Sequence, residues 1–138
     1  MMKRALTPLI FVVEDAYSCE ECSDWIAFSE MHVYDAAPIA QVVIAPEVRN
    51  NTRVVLDDTA RAAEIFERLA PHLPTEIEVG WRLCGLNERL RFYRYEVGQR
   101  FGWHNDRVFY RSLEEWSRFT LTIYLNDDFE GGQHDVPG

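Results

Sequence analysis

The sequence predicts an α+β fold in which helical supports come first and a sheet-rich half follows. Three observations predict it. Apolar residues recur at helical spacing before Glu76, aromatic and β-favouring residues crowd Leu86 to Tyr95, and Phe119 to Leu125 alternates apolar and polar residues without a fault. A chain of 138 residues, 47% of them hydrophobic, is long enough for one core, so a single domain over 1–138 is expected. Its helix and strand support covers about 1–80 and the first part of the sheet structure about 81–138.

Taken in order, Leu9-Ile10-Phe11-Val12-Val13 reads as a strand, and Ser18-Cys19-Glu20-Glu21 is a capping box opening a helix with Cys22, Trp25, Ile26 and Ser29 on one side. Ala37-Pro38 and Ala45-Pro46 break the chain around Ile39 to Ile44, a short apolar run suited to a strand. A second helix starts at Asp57 or Asp58, because Ala62, Ile65, Phe66 and Leu69 fall at helical spacing and Pro71 and Pro74 end it. In the strand Phe119 to Leu125, Phe119, Leu121, Ile123 and Leu125 form a dry face and Thr120, Thr122 and Tyr124 a polar one. A sheet lining a polar cavity needs such strands, as in a jelly roll or double-stranded β-helix. Arg107 to Ser117, with Phe109, Tyr110 and Trp116 among charges, suits a lid or a surface loop anchored by its rings.

The net charge of −9 argues against a nucleic-acid or membrane-surface binder, which needs excess cations. Between Arg82 and Arg118, however, eight arginines face five acids, a local balance of 8 − 5 = +3 that suits an anionic ligand or a solvated strand face. No apolar run reaches the ~20 residues of a membrane span, and no cleavable leader is evident, so a cytoplasmic location is expected. Cys19 and Cys22 form a C-x-x-C, but with only Cys84 besides there is neither a zinc ribbon nor a disulfide framework; two thiols on adjacent helical turns is the expectation.

The chemistry centres on Phe101-Gly102-Trp103-His104-Asn105-Asp106. In an extended segment, His104 and Asp106 point to the same side and can offer an imidazole nitrogen and a carboxylate oxygen to one metal ion. They project in parallel, so neither orients the other as a Ser-His-Asp triad requires.

The surroundings make this short pattern specific. Residues Gly85 to Phe101, with Tyr95-Glu96-Val97-Gly98-Gln99-Arg100-Phe101 leading into His104-Asn105-Asp106, and then Tyr124-Leu125-Asn126 running to Gly131-Gly132, resemble the prolyl 4-hydroxylase-like family of iron- and 2-oxoglutarate-dependent dioxygenases. The resemblance covers residues 85–132, and Arg49, Asn51 and Arg53 are compatible with the family's lead-in. It implies a jelly-roll oxygenase core behind N-terminal supporting helices. It also implies His104 and Asp106 as ligands of Fe(II), Tyr124 as a donor to the distal carboxylate of 2-oxoglutarate, and Tyr95 in the wall near the metal. The implied reaction hydroxylates a C–H bond of a prolyl or other protein side chain, or of an amino-acid-like small molecule. It uses O₂, 2-oxoglutarate is decarboxylated to succinate, and ascorbate serves as reductant.

The match stops after the Gly-Gly turn, where only Gln133-His134-Asp135-Val136-Pro137-Gly138 follows. The resemblance would place a second metal histidine and an Arg or Lys for the distal carboxylate further on, so the jelly roll is expected to be incomplete. His134, 134 − 104 = 30 residues after His104, is the candidate third ligand, and Arg118, on the face of Thr120, Thr122 and Tyr124, is the candidate cation. Two other functions compete: a catalytically inactive remnant that binds a partner through its aromatic loop or open sheet edge, and a cupin-like module holding a non-redox metal.

Overall fold

A computed structural model describes residues 1–6, 10–38, 44–78, 80–102 and 106–130. Its elements are β1 (Met2–Ala5), β2 (Phe11–Glu14), α1 (Cys19–Glu30), β3 (Asp35–Ala36), β4 (Thr52–Asp57), α2 (Thr59–Leu69), β5 (Glu76–Glu78), β6 (Trp81–Arg82) and β7 (Arg89–Arg94). The strands form three small sheets among the described residues: β1-β2, β3-β4-β7 and β5-β6. The chain divides into two compact units, one of Met1–Glu21 with Val55–Arg91 and one of Cys22–Val54 with Phe92–Gly138.

In the first unit β1 and β2 pair antiparallel, Met2 opposite Glu14 and Ala5 opposite Phe11. Met-Lys-Arg-Ala has no strand pattern of its own; pairing with the apolar β2 makes it one, helped by Lys3 over the Phe11 ring and Arg4 beside Glu14. Helix α2 begins where expected. The Asp58 carboxylate accepts from the Arg61 N–H at 2.9 Å, satisfying one of the helix's unpaired donors. Ala62, Ile65 and Leu69 are buried along one face. The helix ends at Leu69, ahead of Pro71 as expected; Pro71 sits in a 3-10 turn over Ala70–His72, where its missing N–H costs nothing.

The capping box at the start of α1 is formed reciprocally: the Glu21 N–H donates to Ser18 Oγ at 3.1 Å and the Ser18 N–H to Glu21 Oε1 at 3.0 Å. Both Glu21 oxygens also receive the Arg68 guanidinium, whose Nη1 donates in addition to the Ala16 carbonyl at 3.0 Å. Asp57 and Arg89 make a similar two-pronged pair at 2.9 and 3.0 Å, and Asp58 N–H donates to the Glu88 carbonyl alongside.

In the second unit, Trp25 and Phe28 of α1 meet Phe92, with ring centroids 5.9 to 6.0 Å apart. Ser29 is fully buried; its hydroxyl donates to the Ile26 carbonyl and accepts from Tyr34. This is the helix face expected for Cys22, Trp25, Ile26 and Ser29. Strand β3 pairs antiparallel with β4, Asp35 opposite Arg53.

Two strand expectations fare differently. The run Ile39 to Ile44 lies outside the described residues except for Ile44, which is exposed and in no strand. The strand over Phe119 to Leu125 is corrected: no residue in it belongs to a strand, and its intended dry face is open, with Phe119 and Leu121 each 40% exposed. Alternation states which face can be dry, but a strand exists only where a neighbour takes its backbone N–H and C=O groups, and no described residue supplies that ladder. Among the described residues there is accordingly no closed barrel.

Candidate functional site

The segment that enters the H-x-D pattern is held by the five residues after Pro46. The Asn50 N–H donates to the Arg100 carbonyl at 3.0 Å, and Asn50 Oδ1 receives the Arg100 N–H at 2.6 Å. The Arg100 Nη2 donates to the Glu47 carbonyl at 2.7 Å, and Arg49 bridges Phe101 in antiparallel fashion. Gly102 N–H donates to the Val48 carbonyl at 2.7 Å, an approach so close that a Cβ at Gly102 would lie 3.4 Å from that oxygen. Both backbones are thereby fixed two residues before His104.

His104 and His134 themselves lie outside the described residues. Asp106 is described: it is exposed, and its Oδ2 accepts from the Thr120 hydroxyl at 2.8 Å. Thr120 belongs to the face on which the alternation puts Thr122 and Tyr124, so one polar contact ties the H-x-D segment to that run although no ladder is present. No cluster of three or more His, Cys, Asp or Glu side chains is found among the described residues, where Asp106 is the one candidate ligand. Its chemistry fits a hard divalent ion: a carboxylate oxygen is a ligand of that class, and the hydroxyl bonded to Oδ2 gives the group a fixed direction.

Tyr95 and Tyr124 are near enough to act on one another electrically. The Tyr95 phenol is raised above its ordinary pKa, chiefly by burial, with the Arg49 charge pulling it down and Tyr93 and Tyr124 pushing it up. It therefore stays protonated across the physiological range and can donate a hydrogen bond. Arg118 is exposed, two residues before Thr120.

Residues 107–117 form a loop closed on itself. Tyr110 bridges Trp116, their rings pack edge to face at 5.0 Å, and the Ser112 hydroxyl accepts from the N–H groups of Glu114 and Glu115. Phe109 and Ser117 close its neck at 2.7 and 2.8 Å. The aromatic residues thus stiffen this loop by packing on one another, with Leu113 at its tip 92% exposed.

The residue that the sequence reading undervalued is Arg49. It is 5% exposed, its Nε donates to Asn51 Oδ1 at 2.8 Å and its Nη1 to the Pro38 carbonyl at 3.3 Å. Its guanidinium lies 4.0 Å from the Phe101 ring centre and 4.4 Å from that of Tyr93. A single arginine after the Pro46-Glu47-Val48 turn carries no periodic signal, and its compatibility with the family's lead-in, shared with Asn51 and Arg53, gives it no role.

Comparison with protein-family models, curated proteins and solved structures gives no match. No described helix is long and apolar enough to cross a membrane.

Proposed function

We propose that the chain is an iron- and 2-oxoglutarate-dependent dioxygenase of the prolyl 4-hydroxylase-like kind, hydroxylating a C–H bond of a prolyl or other side chain or of an amino-acid-like small molecule. The observation that carries this reading is the order of linked blocks: Tyr95 with its Gly98 turn, then His104-x-Asp106, then Tyr124 before Gly131-Gly132. The hydrogen bond from Thr120 to Asp106 and the mutual influence of Tyr95 and Tyr124 support it, since both link the residues on which the reading depends.

In this reading His104 and Asp106 hold Fe(II), with His134 the candidate third ligand; the metal supplies the oxidising chemistry when bound. The chain's own residues bind and orient. Thr120 directs the Asp106 carboxylate, and its neutral hydroxyl leaves the negative charge for the metal. Tyr124 donates to the distal carboxylate of 2-oxoglutarate. Tyr95, kept protonated by burial, forms the wall beside the metal and presents a donor rather than a charge.

The test is stoichiometric. Supplied with Fe(II), ascorbate, O₂ and 2-oxoglutarate, the 138-residue chain releases succinate, and His104→Ala or Asp106→Ala abolishes the release. Release that is unchanged in both variants would reject the assignment; no release from the parent chain would favour the binding-module reading.

A further inference from the structure

Among the described residues Arg49 is a buried cation with no acidic side chain paired to it. Of its donors, Nε goes to Asn51 and Nη1 to the Pro38 carbonyl, while Nη2 is buried with no hydrogen-bond partner among the described residues. Asn51, itself only 1% exposed, spends its Oδ1 on the Arg49 Nε and its Nδ2 on the Thr52 carbonyl, so it fixes the guanidinium without neutralising it.

An N–H of a charged group left unmade in a water-poor site is costly, and the cost falls when an acceptor, above all an anionic one, arrives. Packing alone does not require it: the rings of Phe101 and Tyr93 would stack on an apolar residue as well, and cation–π attraction spreads over the faces of the guanidinium without satisfying an edge N–H. The surroundings suit a carboxylate. The Arg49 charge is felt at the Tyr95 phenol, whose pKa it pulls down against the larger effect of burial. On this side the site borders solvent: Tyr93, whose ring covers the guanidinium at 4.4 Å, is 44% exposed and Tyr95 48%.

We propose that Arg49 is the receptor for one carboxylate of a small organic acid, which its unspent Nη2 binds. This rests on the dioxygenase reading and deepens it. A carboxylate can come from the keto-acid cosubstrate or from a substrate that is a free amino acid, and a substrate anchored in this way would be a small molecule and not a residue inside a protein chain.

The experiment follows Arg49 itself. The full chain, nitrogen-15 labelled and supplied with zinc as a diamagnetic substitute for iron, is titrated separately with 2-oxoglutarate, glutarate and L-proline. The side-chain Nε–H resonance of Arg49, assigned through its own backbone, is recorded at each step. The proposal expects a saturable shift with at least one acid and none with the neutral amide of that acid. A shift shared by 2-oxoglutarate and glutarate assigns the carboxylate to the cosubstrate; a shift with L-proline alone assigns it to the substrate. A resonance that stays still with all three acids, or that moves equally with an amide, overturns the proposal. Because the visible band of an iron–keto-acid complex is recorded independently on the same protein, a still Arg49 beside a normal band sinks this inference alone, whereas a missing band sinks the dioxygenase reading.

Discussion

Thr120 donates its hydroxyl hydrogen to Oδ2 of Asp106 at 2.8 Å, across fourteen residues of chain that include the whole aromatic loop. If Asp106 is a metal ligand, Thr120 is what aims it. Partners of ligating carboxylates typically contribute 10–100-fold to metal affinity, so Thr120→Val should weaken Fe(II) binding by roughly 10-fold while leaving the unfolding midpoint of the metal-free chain nearly unchanged. An anaerobic competition titration against a chromophoric chelator measures it; Thr120→Ser, which restores the hydroxyl, should recover most of the loss.

The Glu21–Arg68 pair makes stability depend on acid. The Arg68 guanidinium and the Ser18 N–H hold the Glu21 carboxyl well below its ordinary value of 4.5, at about 2. A carboxyl depressed by folding contributes stability that is complete above pH 4.5 and drains away as pH falls towards 2. Glu21→Gln keeps a capping-box side chain but removes the charge, so its melting temperature should lie below that of the parent chain at pH 7, and the gap should close by about pH 2. A gap that is constant with pH would mean that the ion pair is not what Glu21 contributes.

The start of α2 depends on one carboxylate. Removing the Asp58 side chain leaves the Arg61 N–H without its acceptor and should cost about 1 kcal/mol in urea unfolding, the usual worth of such a cap. Asp58→Asn, which keeps an acceptor, should cost much less.

The apolar face of the same helix carries more. Ile65 is 5% exposed, and Ile65→Ala should destabilise the chain by about 2–5 kcal/mol through lost burial and the cavity left behind. On the opposite face the exposed Glu64 changed to Ala should fall within about 0.5 kcal/mol of the parent. Equal effects at the two positions would contradict the orientation of α2.

What could be read from the sequence was local. The Ser18–Glu21 capping box, the Asp58 cap and the Ala62, Ile65, Leu69 stripe are written in residues three or four apart, and the structure has each of them. What could not be read depends on partners distant in the chain. Strand β1 has a polar sequence and exists because β2 lies beside it; Phe119 to Leu125 has a faultless strand pattern and, lacking a ladder, is none. The same holds at the site. Tyr95, Asp106 and Tyr124 came from motif order, but the Thr120 contact needs the chain to fold back over fourteen residues, and the buried, half-satisfied Arg49 arises only when segments some fifty residues apart meet, as Asn50 and Arg100 do.

An iron centre that includes Asp106 and takes a keto acid should reveal itself when Fe(II) and then 2-oxoglutarate are added to the chain without O₂ and the visible spectrum is recorded. A charge-transfer band should appear, saturate with 2-oxoglutarate and be lost in Asp106→Ala. A parent chain that gives no band, or a band of full strength in Asp106→Ala, would contradict the assignment.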